Sequence, residues 1–142
     1  MGSKTSGLLA GATGGLVYGL GQSSYISLVS IFAAQTVERA LGLAPTLPML
    51  ESSIVSTLSS AVVFGAFFGL IYGWKYNGIP GRSPALKGVA MGILLFLFNM
   101  ADVYLYEKFG LALLGAFVAV NAITAVAYGL ILGYLYYRLE LY

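Results

Sequence analysis

Charged side chains divide the sequence into four long runs with little or no charge. Thr5–Val37 lies between Lys4 and Glu38, and Ser52–Trp74 between Glu51 and Lys75. Gly88–Tyr106, interrupted only by Asp102, lies between Lys87 and Glu107, and Phe109–Tyr137 between Lys108 and Arg138. A helix crossing the hydrocarbon core of a bilayer takes about 20 such residues. The pattern predicts an all-α, polytopic membrane protein: a four-transmembrane-helix bundle in a single domain, residues 1–142. The spans fall at about 6–30, 50–75, 84–106 and 111–137. The first run also resembles a signal peptide in starting after Lys4. It is longer than the usual apolar stretch of one and is broken by regular glycines, which favours a retained span.

The connections carry their own signals. Asn77-Gly78-Ile79-Pro80-Gly81 is turn chemistry, followed by Ser83 as an N-cap and Pro84 as the first helical residue. The chain must reverse within a few residues around Lys108-Phe109-Gly110, so the last two helices are expected to be antiparallel neighbours. Ile31, Ala34, Val37 and Leu41 share one helical face, with Glu38 and Arg39 away from it. This segment either extends the first helix or forms a short interfacial helix ended by Gly42.

Small residues recur at four-residue intervals within the runs. Gly7, Gly11, Gly15 and Gly19 form the first series, and Ala61, Gly65, Gly69 and Gly73 the second. Gly88 and Gly92 follow in the third run, and Ala125, Gly129 and Gly133 in the fourth. Such spacing places the glycines in one stripe, along which another backbone can approach closely. Glycine-ladder packing is the expectation, with the partner in this chain or in another subunit. An internal repeat is also indicated. Gly69–Trp74 resembles Gly129–Tyr134, and Ser6–Gly15 shares a Ser start and a Gly-x-x-x-Gly with Ser83–Gly92. These matches fit a parallel duplication of a helical hairpin about an axis along the membrane normal.

Charge sets the expected orientation. Alternating spans place Lys4, Lys75, Arg82, Lys87 and Arg138 on one side and Arg39 and Lys108 on the other, five against two. The positive-inside rule puts both termini in the cytoplasm and the protein in the cell membrane. Tyr72, Trp74, Tyr76, Tyr134, Tyr136, Tyr137 and Tyr142 are expected as anchors at the inner interface, and Tyr104 and Tyr106 at the outer.

Polar residues concentrate in the outer halves of the runs. They include Gln22, Ser23, Ser24, Ser27 and Ser30, then Ser52, Ser53, Ser56, Thr57, Ser59 and Ser60, then Asn99, Asp102, Asn121 and Thr124. Two readings follow. The hydroxyls and amides either tie helices to one another and to their own carbonyls, or line a polar vestibule open to the outside. Gln22, Asn99, Asp102, Glu107 and Asn121 are the best polar-ligand or ion-site residues under the second reading. Tyr18, Tyr25 and Tyr128 lie within spans and need hydrogen-bond partners.

Composition narrows the chemistry. Hydrophobic residues make up 59% and charged residues 8%, against roughly 25% charged in a soluble domain. Mean hydropathy is +0.89. With neither Cys nor His, the chain has no thiolate nucleophile, disulfide, Cys/His zinc site or histidine-ligated haem. No cofactor, metal or catalytic residue is expected. Asp102, Glu107 and Glu51 would be the acids of a membrane enzyme, but no general acid–base pair is evident. The few separated basic residues do not fit a nucleic-acid surface. The favoured expectation is a non-catalytic integral membrane protein, a structural or accessory subunit. It would pack within a complex or homo-oligomer, with lipids and other membrane subunits or itself as partners. The alternative is a small channel or transporter for a solute or cation.

Overall fold

A computed structural model of the chain describes residues 3–42, 46–101, 103 and 110–141. Among them the fold is all-α, with five helices: α1 (Ser3–Phe32), α2 (Ala34–Leu41), α3 (Leu47–Lys75), α4 (Pro84–Asn99) and α5 (Leu111–Glu140). A 3-10 turn, Tyr76–Gly78, follows α3, and residues 100, 101 and 103 after α4 are also in 3-10 geometry. Leu47–Gly78 and Leu111–Glu140 are long and apolar enough to cross a membrane. α1 is equally long, but its glycines, hydroxyls and Gln22 dilute its hydropathy, and it does not meet the same criterion.

Local chemistry explains the ends. Pro48 lies in the first turn of α3, where its missing N–H costs nothing. Ser83 is extended and its Oγ accepts from Leu86 N at 3.3 Å, so α4 begins at Pro84 as its sequence predicts. α2 is a separate short helix with Val37 buried and Glu38 and Arg39 exposed. Gly42, with φ of 74°, ends it by donating to the Glu38 carbonyl.

In the third run the α-helix α4 runs to Asn99, residues 100, 101 and 103 are in 3-10 geometry, and the rest of the predicted span to 106 lies outside the described residues. The Asn99 side chain donates to the Leu95 carbonyl and to Tyr18 Oη, a tertiary bond from α1. α4 has 16 residues, about 24 Å at 1.5 Å per residue, whereas α1 and α5 have 30 each and reach about 45 Å.

α1 packs against α3 along its length and also against α5, and α4 packs against α5. α3 and α4 meet only sparsely. Glycines lie at the closest approaches. A Cβ added at Gly11 would overlap the Gly65 carbonyl oxygen and lie 2.6 Å from Gly69 Cα, and one at Gly65 would lie 2.6 Å from Gly15 Cα. Gly88 and Gly92 stand in the same relation to Gly129 and Ala125. The two pairs share one register: Gly7 abuts Gly69 O and Gly73 N, and Gly88 abuts Gly129 O and Gly133 N. This makes Gly88 the counterpart of Gly7, one turn away from the alignment that begins Ser6 with Ser83. The opposite faces carry exposed Leu16, Leu20, Val63, Phe67, Ile93, Leu97, Ile123 and Leu130.

Some tyrosines expected at the inner interface are packed inside. Tyr72 is fully buried and donates to the Pro84 carbonyl at 2.8 Å. Tyr136 is buried against it with ring centroids 5.0 Å apart, and stacks on Tyr76 at 4.9 Å. Their hydroxyl-bearing rings fill the space where the two helix pairs meet. Trp74, Tyr134 and Tyr137 are exposed as expected. Tyr104, Tyr106 and Tyr142 lie outside the described residues.

Candidate functional site: a polar cavity between four helices

The end of the bundle bearing Phe32, Leu47 and Leu111 is the outer end of the predicted topology. In this half the long helices enclose a cavity of about 430 Å³. Asn99 is level with Tyr18 and Asn121 of α1 and α5. Beyond that level α1, α3 and α5 continue as α-helix, while residues 100, 101 and 103 after α4 are in 3-10 geometry.

The cavity floor is a hydrogen-bonded chain. Asn99 Nδ2 donates to Tyr18 Oη at 2.6 Å, and Tyr18 Oη donates to Asn121 Oδ1. Asn121 Nδ2 donates to the Phe117 carbonyl of its own helix at 3.0 Å. Asn121 is 1% exposed, so this satisfaction is necessary. Beside it, Gln22 Nε2 donates to Thr124 Oγ1 at 3.1 Å, while Thr124 Oγ1 donates to the Val120 carbonyl. Tyr25 caps the α1–α5 wall by donating to the Leu113 carbonyl at 2.8 Å, its ring 5.8 Å from that of Phe117.

The opposite wall comes from α3 and α4. Ser56, Thr57, Ser60, Ala61 and Phe64 line it from α3, and Leu95, Phe98 and Asn99 from α4. Phe64 and Phe98 meet at 5.2 Å between ring centroids, and Phe68 and Phe98 at 6.2 Å. Below the floor, Tyr128 is fully buried and donates to the Gly65 carbonyl at 2.9 Å.

The structure thus brings three of the sequence-predicted residues, Gln22, Asn99 and Asn121, to one cavity. Asp102 and Glu107 lie outside the described residues. Tyr18, Ser56, Thr57 and Ser60 join the lining. The hydroxyl run of α3 was visible in sequence, but which of its serines turn inward depends on where α3 contacts α1. Other outer serines satisfy themselves: Ser24, Ser27 and Ser53 donate to carbonyls four residues back. No Asp, Glu, Lys or Arg side chain lines the cavity among the described residues. Nor do three metal-ligating side chains come together there among those residues.

At the far end, basic residues rest on aromatic rings. Lys75 lies 4.3 Å from the Trp74 ring centroid, and Lys87 lies 4.0 Å from that of Tyr76 while donating to the Tyr76 carbonyl at 2.7 Å. Arg138 lies over Tyr134 and donates to its hydroxyl at 3.2 Å. Comparison with protein-family models, with curated proteins and with solved structures gave no match.

Proposed function

We propose that the chain is a non-catalytic, multi-pass protein of the cell membrane that receives a small uncharged molecule in its outer cavity. The observation that carries the reading is a cavity within the size range of small-molecule sites, lined by uncharged polar groups from four helices. Membrane residence is supported by α3 and α5, whose most apolar windows are only 17% and 22% buried within the bundle. The core helix of a soluble protein would be mostly covered. Four spans are proposed: α1, α3, α4 with the residues that follow it, and α5. Cation–aromatic pairs at one end suit the cytoplasmic interface.

Glycine-ladder packing then has a clear role. Apolar burial gives little drive in lipid, so close backbone contact holds the inner half closed. The shared register of the two helix pairs supports duplication of a hairpin. Because the stripes face one another within the chain, they are not free for a second subunit. This favours the cavity over scaffolding as the functional feature. The accessory-subunit reading remains as a second reading, carried by the sparse α3–α4 seam, where a foreign helix could dock.

Thermal unfolding of the purified chain in mild detergent tests the proposal. Uncharged hydroxyl compounds should raise the melting temperature and charged analogues should not. Ser60→Phe, which fills the cavity, should abolish the rise. A melting temperature indifferent to every uncharged compound, with a particle that grows on adding native membrane extract, would favour the subunit reading.

A further inference from the structure

We propose that the occupant is an uncharged, membrane-dissolved amphiphile with a hydroxyl head, such as a long-chain alcohol or monoacylglycerol, and that it enters sideways between α3 and α4. This rests on the reading of the cavity as a binding site in a membrane-spanning bundle.

The walls of the cavity are unequal. On the α1 and α5 side Tyr18, Gln22, Tyr25, Phe117 and Asn121 are buried and Ile26 is half-buried. On the other side Ala61 and Leu95 are buried, but Ser56, Ser60, Phe64 and Phe98 are exposed. The glycine-mediated backbone contacts that close α1 on α3 and α4 on α5 have no equivalent between α3 and α4. That seam is closed instead by the Phe64–Phe98 and Phe68–Phe98 ring contacts. Side chains that rotate can open, whereas interlocked backbones cannot. In a bilayer this seam faces lipid.

The lining is polar but uncharged among the described residues. Asn99 joins the hydrogen bonds of the cavity floor through Nδ2, and Ser56, Thr57 and Ser60 supply hydroxyls nearby. A hydroxyl head both donates and accepts, and matches this set. A phosphate or carboxylate would shed its water with no counter-charge to meet it, since no cationic side chain is present there among the described residues. Leu95, Phe98 and Phe117 offer apolar surface that an alkyl chain covers and a water-soluble polyol does not.

The chain has no cysteine, so Ser60→Cys introduces a single thiol. In phosphatidylcholine nanodiscs an alkyl maleimide should modify it several-fold faster than a sulfonated maleimide, each rate normalised to Asn77→Cys in the turn after α3. Monomyristoylglycerol should protect the thiol and glycerol should not. Phe98→Ala should accelerate the alkyl reagent. Ser56→Cys repeats the measurement at a second position. Faster sulfonated labelling with protection by glycerol would mean entry from water, overturning the sideways route while leaving a binding cavity. Absence of protection by either compound at both positions would overturn the binding reading itself.

Discussion

A single methyl group distinguishes the glycines that matter from those that do not. Gly11 meets backbone from α3, and backbone cannot step aside. Gly11→Ala should therefore destabilise the purified protein by about 1–3 kcal/mol, as overpacking does. Gly115 is also helical, yet nothing lies within 4 Å of an added Cβ. Gly115→Ala should be neutral or stabilise by up to about 1 kcal/mol through lost backbone entropy. Unfolding in mild detergent measures both, and equal effects would contradict the packing. The cavity floor makes a second residue-scale case. Asn121→Leu removes the acceptor of Tyr18 and should cost about 1 kcal/mol, as interhelical hydrogen bonds in membranes do. Combined with Tyr18→Phe, its effect should be less than additive, because both substitutions break the same bond.

At the scale of elements, a helix boundary is legible where a local residue writes it and not elsewhere. Ser83 and Pro84 act through their own backbone, so the start of α4 was legible. The end of its α-helix at Asn99 was not, because neither Gly nor Pro marks a stop there. Apolar residues continue past Asn99, and hydrophobicity alone extends the helix to Tyr106. Gly42 is legible for the opposite reason: its φ of 74° is a local requirement. Gly42→Val should strain that conformation at a cost of about 1–2 kcal/mol. Hydrogen exchange should then speed up in α2 while α1 and α5 keep their protection.

For the whole molecule, the testable matter is the number of crossings. Thr46→Cys precedes α3 and Asn77→Cys follows it, so four spans with cytoplasmic termini place them on opposite sides. An impermeant thiol reagent applied to intact cells should label the first and spare the second until the membrane is permeabilised. Labelling of both before permeabilisation would refute the four-span topology. The same frame explains why Gln22, Asn99 and Asn121 could be listed from sequence as one site. They are the amides of the outer halves, and antiparallel helices bring such halves to one level. Their bonds to Thr124 and Tyr18 could not be listed, since these depend on the rotation of each helix about its axis.

Sequence alone determined the helical content of this protein and the apolar character of its long helices. Those properties are sums over residues: hydropathy, charge and four-residue spacing need no knowledge of neighbours. Tertiary structure decided which backbone atoms lie against Gly11, Gly65 and Gly88, that the α-helix of α4 ends at Asn99, and that phenylalanine rings meet between α3 and α4. These outcomes depend on contacts between residues as far apart as Tyr18 and Asn121, where distance and orientation decide which polar group is paired and which faces the cavity. A periodic pattern fixes which face of a helix is smooth, and only packing in three dimensions selects what that face touches.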